Sequence, residues 1–201
     1  MTENDQSEEI ISTRDAATTS GRMQPFENPM GGLVRFTMVK DLIEPPADLP
    51  MPFGYRVEPW TDPMLPAYAA AMAVAFSDSP ELEVYPKLGS KEGCVSIVKD
   101  ISAMPDFLAG ASLLAFFNRE PCAFILTGFS KGAAEGRIHV LGVGPRHRGI
   151  HIGTQLVNMA LWAFRDRRFV RAVVRVNRLN RGGIRFFRTL GFHVSSSQEY
   201  L

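Results

Sequence analysis

Residues 144 to 154, Gly-Pro-Arg-His-Arg-Gly-Ile-His-Ile-Gly-Thr, constrain the fold of this chain more than any other stretch. An apolar strand pattern, Arg137 to Val143, runs into this segment, and an amphipathic helical pattern continues from it to about Arg167. A second strand pattern, Arg171 to Val176, follows the helix. A strand, a crossover helix and another strand form a unit that places its two strands side by side in one sheet.

The chain before this unit reads differently. Residues 33 to 42 alternate apolar and polar and predict a strand; the four prolines between Glu44 and Pro52 predict a loop. Tyr55 to Trp60 predicts a second strand. Thr61 or Asp62 can cap a helix that has Pro63 at its first position and runs to about Phe76. Asp78 to Ser90 reads as a loop. Ser90 can cap a second helix that shows Cys94, Val98, Ile101 and Met104 on one face and stops at Pro105. Strands are predicted at 112 to 117 and 122 to 129, around a turn at 118 to 121. After Arg171 to Val176, residues 181 to 190 predict a helix and Phe192 to Val194 the start of a last strand. Antiparallel strands give way to a strand–helix–strand unit, so the expected class is a mixed α/β sheet.

A length of 201 residues suits one domain, expected at 31 to 201, behind a polar, acidic, disordered tail at 1 to 30. No basic flank or apolar core marks a leader at the N-terminus, and the longest nearly apolar run, Leu108 to Phe117, is about half of a membrane span. Cys94 and Cys122 match no metal or redox spacing and fit free, buried thiols in a reducing cytoplasm. The net charge of +1 conceals an asymmetry. From Arg137 to Arg188 twelve arginines stand against one acid, Asp166, leaving +11, while the rest of the chain carries −10. Most of this cluster (Arg165, Arg167, Arg168, Arg171, Arg175, Arg178, Arg181, Arg185 and Arg188) reads as a solvated basic face. No aromatic stacking platform is interleaved with it, so nucleic acid is not an expected partner. Trp60 and Trp162 read as packing residues.

The turn at 144 to 154 aims several backbone N–H groups at one point, at the positive end of a helix dipole. That is a seat for phosphate or diphosphate. Gly149 and Gly153 let backbone approach an anion, and Arg148 adds a planar cationic fork. The segment is neither a Walker loop nor the three-glycine dinucleotide fingerprint.

Arg148 through Thr154 resembles the acyl-CoA loop of the GNAT acyltransferases, [QR]-x-x-G-x-[GA], with Arg148 in the first place, His151 in the fourth and Gly153 in the sixth. Ile138 to Val143 and Pro145 resemble the family's preceding strand and its Val-x-Pro. Val174-Arg175-Val176, Asn180, Gly183-Ile184 and Leu190-Gly191-Phe192 resemble its last block. The resemblance covers about 58 residues in order and spacing. It implies a mostly antiparallel central sheet flanked by helices, in the order β-α-α-β-β-β-α-β-α-β, with one extra N-terminal strand. The sequence departs from the family at His151, where a glycine is usual, and at Phe187, where a tyrosine is usual. The nine residues after Phe192 are expected to be too few for the long final hairpin of many members. The strand at 33 to 42 is then expected to cover the exposed sheet edge.

By the same resemblance, two neighbouring strands part and acetyl-CoA lies between them as co-substrate. Leu141 and Val143 would pair with its pantetheine arm, with Gly142 and Gly144 easing a bulge. Arg148, Gly149, Ile150, His151, Ile152, Gly153 and Thr154 would hold the diphosphate, and Asn180 and Phe187 would lie near the thioester. No metal is implied. The activity expected is N-acetyl transfer to a primary amine of a small molecule or protein, by a monomer or homodimer. A non-catalytic acyl-CoA sensor is the alternative, favoured by Phe187. Attack by nitrogen needs a neutral amine, so a general base is useful. His139 is the candidate, because a neutral imidazole suits the task and its strand runs beside the thioester. On simple alternation it shares a face with Leu141 and Val143. Glu135 is a weaker candidate. Asp78, Glu81 and Glu83 are candidates to hold a cationic acceptor.

Overall fold

The computed structural model describes residues 33–130 and 132–200. The tail expected at 1 to 30 lies outside them. Strands β1 (Leu33–Asp41), β2 (Tyr55–Pro59), β3 (Leu113–Phe117), β4 (Glu120–Ser130), β5 (Glu135–Val143), β6 (Arg171–Asn177) and β7 (His193–Tyr200) form one sheet in the order β2-β3-β4-β5-β6-β1-β7. Every pairing is antiparallel except β5 with β6, which the crossover helix α4 (Ile152–Asp166) connects. Before it come α1 (Leu65–Phe76), a single turn α2 (Glu81–Val84) and α3 (Lys91–Ser102); α5 (Arg181–Thr189) lies between β6 and β7.

Several local expectations hold. The Ser90 hydroxyl caps α3 by accepting from the Gly93 N–H at 3.0 Å. The β3–β4 turn places Asn118 and Arg119 at φ 49° and 71°, the left-handed pair that a tight hairpin needs. Others fail. Residues 78 to 90 contain α2 and a 3-10 turn, Pro86–Gly89, where a loop was expected. Met104 lies beyond the end of α3. Trp162 is 39% exposed on the outside of α4, with the Arg165 guanidinium 5.7 Å from its ring centroid, so it is not a core residue. Trp60, Cys94 and Cys122 are buried as expected.

β1 covers the open edge of β6 in full register, from Arg35 opposite Asn177 to Asp41 opposite Arg171. It does not end the sheet, however: β7 pairs along its other side and takes the edge. The proline-containing link that follows β1 runs along α4. The Arg165 guanidinium donates to the carbonyls of Leu42 and Ile43, the Asn158 amide to Ala47 and the Gln155 amide to Leu49. These helix positions, spaced three and seven apart, form one stripe. Side-chain amides there satisfy backbone carbonyls of a segment whose prolines cannot join a sheet.

Each face of the sheet has its own core. On one face α4 packs Ile152, Leu156, Val157, Ala160, Leu161 and Phe164 against Ala123, Ile125, Ile138, Ala172 and Val174. On the other, α1 and α3 pack Tyr68, Met72, Ile97, Val98 and Ile101 against Leu114, Phe124 and Leu126. This second layer covers β2 to β4 and the end of β5, where Gly142 lies against Ala75 of α1. The same face of the rest of β5, of β6 and of β1 looks into a groove of about 1740 Å³.

Candidate active site

The site begins where the parallel ladder stops. β5 and β6 pair from Glu135 opposite Arg171 to Ile138 opposite Val174, and no further. Both strands continue, to Val143 and Asn177, so they part into a wedge. The Gly144 N–H donates back to the Cys122 carbonyl of β4 at 2.8 Å. By alternation, Leu141 and Val143 therefore turn their backbone groups the other way, into the wedge. The Val143 carbonyl is already engaged, accepting from Arg148 Nε at 3.1 Å.

The bulge is not at the glycines. Along β5, Val140 faces Leu126 and Ile138 faces Thr127, so His139 is the extra residue. This overturns the simple alternation. Leu141 and Val143 pack towards α4, whereas the His139 imidazole points to the opposite face, into the groove, over Gly128 of β4. A Cβ at residue 128 would stand 2.3 Å from His139 Nε2, so only glycine leaves room for this ring. Nε2 is buried and has no hydrogen-bond partner among the described residues. Burial pushes the imidazole down to about pH 4; the carboxylate of Asp106 opposes that shift, and the guanidiniums of Arg137 and Arg175 add to it. At pH 7 the ring is neutral.

Beyond the wedge lies the loop at the N-terminus of α4. Gly149 has φ 80° and His151, the residue before the helix, φ 67°. The missing glycine is thus replaced by a histidine held in the left-handed region, its side chain exposed. The backbone N–H groups of residues 149 to 154, from Gly149 through Ile150, Ile152 and Gly153 to Thr154, find no backbone acceptor among the described residues. They stand at the positive end of the dipole of a 15-residue helix. Gly153 packs closely: a Cβ there would lie 3.1 Å from the Val143 side chain.

Arg148 does something other than expected. Its guanidinium donates to both oxygens of Asp78 at 2.8 Å and to the Ala75 carbonyl at 3.0 Å. It braces the end of β5 against the end of α1 and is neutralised there. The same bond holds the Asp78 carboxyl below its ordinary range, so Asp78 is not available to an acceptor. Glu83 is exposed and off the groove. Glu81 is buried, lines the groove and accepts from the Asn180 amide at 3.1 Å. Asn180 also caps α5, accepting from the Gly183 N–H at 2.7 Å. Phe187 lines the groove, 5% exposed, with its ring edge-on to Phe186 and Phe192. Glu135 is paired with Arg171 in the zipped part of the sheet. It lies four residues, about 13 Å, back along β5 from His139, which removes it as a base. Among the described residues no cluster of His, Cys, Asp or Glu could hold a metal ion, and no helix is long and apolar enough to cross a membrane.

Residues 67–192 match the Acetyltransferase (GNAT) family, and the chain belongs to that family. A search of curated proteins finds no match. Among solved structures, the fold resembles a GCN5-related N-acetyltransferase from Sphaerobacter thermophilus, with 21% identity and a TM-score of 0.63 over 85% of this chain. The present chain spans only 51% of that protein. It also resembles a PaiA N-acetyltransferase from Thermoplasma acidophilum, solved in complex with coenzyme A, with 19% identity and a TM-score of 0.56 over 73% of this chain and 99% of that one. An acetyltransferase from Thermus thermophilus matches at 18% identity and a TM-score of 0.55, over 73% of this chain and 97% of that one.

Proposed function

We propose that this protein transfers an acetyl group from acetyl-CoA to a primary amine by direct attack of the nitrogen on the thioester. The observation that carries this reading is the wedge between β5 and β6, which opens beyond Ile138 and Val174 towards the N–H groups of residues 149 to 154. The diphosphate rests on those groups, and the pantetheine arm adds to the free edge of β5 at Leu141. That leaves the thioester beside the bulge, on whose groove side His139 waits.

A neutral imidazole with low basicity cannot strip a proton from an alkylammonium, whose pKa is about 10.4. The amine that attacks is the fraction that has already given its first proton to water, and the imidazole takes the second, from nitrogen bonded to the thioester carbon, which is more acidic than the free ammonium. His139 therefore accepts the proton after attack, and the buried Nε2 gains the partner it lacks. As the carbonyl re-forms, the C–S bond breaks and the electron pair leaves on sulfur. Phe187 offers that sulfur no proton, but a thiol with a pKa of about 8.5 is a tolerable leaving group near neutral pH. Phe187 is also the feature that favours a second reading, an acyl-CoA-binding module without turnover.

Release of CoA thiol, followed with a thiol reagent across a panel of amines, separates the two. Turnover that depends on amine, and falls about a hundredfold in His139→Ala while CoA affinity holds, fits the transferase. CoA binding with no thiol release from any amine would leave only the binding module.

A further inference from the structure

The groove face of β5, β6 and β1 carries an ordered charge pattern. Of the residues these strands turn towards the groove side, the acids Glu135 and Asp41 both stand in register with Arg171, at the zipped end. Nearer the wedge the same face carries Arg137, Arg175 and Arg35, separated by Val39, Val173, Thr37 and Asn177 and by no carboxylate. The Arg35 guanidinium stacks on Tyr85, 5.2 Å from its ring centroid, and bridges the groove at one end. Arg137 is half-buried and has no hydrogen bond, ion pair or ring contact with any described residue. Its neighbours across the sheet are Gly128 and Val173, and the nearest acid on its own strand, Glu135, is taken up by Arg171. Asp106, whose carbonyl accepts from the Phe129 N–H of β4, is the acid that His139 feels, and Glu81 and Asp100 line the groove elsewhere.

Coenzyme A does not account for this pattern. The diphosphate seat follows the far end of β5, and Arg137 is six residues, about 20 Å, back along the strand from Val143. Resting on the transfer reading above, we infer that the acceptor is a small amine carrying a carboxylate or phosphate a few bonds from its nitrogen. The nitrogen lies at His139 and Asp106, and the anion lies on Arg137. His139 and Arg137 sit two residues apart on one strand, about 7 Å, which limits the separation of the two groups on the ligand.

The test is calorimetric titration of the CoA-saturated protein with matched pairs: an α-amino acid against its carboxamide, and an aminoalkyl phosphate against the amino alcohol. One anionic member should bind about tenfold or more tightly than its neutral twin, the size of one charge-assisted hydrogen bond. The pair that shows the gap identifies the anion. Arg137→Gln should abolish the gap and Arg137→Lys should keep part of it, because charge survives without the planar fork. Equal binding of the twins, no binding of either, or a gap that survives Arg137→Gln would each overturn the inference. A gap without acetyl transfer to the preferred amine would sink the transfer reading and leave the anion site standing.

Discussion

Replacing Gly128 with alanine tests the placement of His139 more sharply than removing the histidine. The added methyl carbon would stand 2.3 Å from Nε2 of His139 and 2.8 Å from the Asp106 carbonyl oxygen, distances that real Cβ contacts do not reach. The imidazole must swing away or β4 must shift. Overpacking of this kind costs about 1–3 kcal/mol. For a chain of this size each kcal/mol lowers Tm by about 2–4 °C. Turnover should fall by about 10²-fold, as for loss of a general base. CoA affinity should hold, because residue 128 is remote from the loop at 149 to 154. Removing the imidazole removes the closer of the two clashes, so Gly128→Ala with His139→Ala should melt higher than Gly128→Ala alone. It should also turn over no more slowly than His139→Ala. The assay is thiol release at saturating acetyl-CoA, paired with thermal melting. Wild-type turnover in Gly128→Ala, or additive losses in the double variant, would refute the reasoning.

The remaining predictions concern pH, a buried hydroxyl, a left-handed histidine and an ion pair. His139 is held at about 4, below its unfolded value near 6.5, so the unfolded chain binds a proton in that window and the folded one does not. Stability should fall as pH drops from about 6.5 towards 4, and melting curves of His139→Ala should lose that slope. The amine's own ionisation slopes kcat/KM below about 10, and for the same reason as above His139 should add no further break near 6.5; a break there would show an imidazole in water. The Tyr68 hydroxyl is fully buried without a partner among the described residues, so Tyr68→Phe should leave stability unchanged or raise it by about 1 kcal/mol, read by urea unfolding. His151→Gly relieves a left-handed histidine worth about 1–2 kcal/mol, offset by about 0.4–1 kcal/mol of unfolded-chain entropy. A small rise in Tm with unchanged CoA affinity is expected, since the site uses backbone donors. Asp78→Asn releases the Arg148 brace and should raise the KM for acetyl-CoA in steady-state assays.

Local chemistry made much of the molecule legible in one dimension. The Ser90 cap, the left-handed turn at Asn118 and Arg119 and the strand–turn–helix of β5 and α4 depend on residues within a few positions of one another. The run of N–H groups at 149 to 154 without backbone acceptors follows from that turn alone. What sequence spacing could not carry is any partner contributed from far along the chain. Arg148 reads as a phosphate ligand until folding brings Asp78, 70 residues away, into a bidentate bond with it. Glu135 reads as a base until β6 delivers Arg171. The face of His139 is decided by the pairing of β5 with β4, where one unmatched residue turns the imidazole from α4 to the groove. β1 reads as a cover for an edge, and only the sheet order puts it inside, between β6 and β7. Capping, turn geometry and hydrophobic period are short-range and were written in the sequence; register, ion pairing and burial arise from long-range contacts, and only the folded sheet decides them.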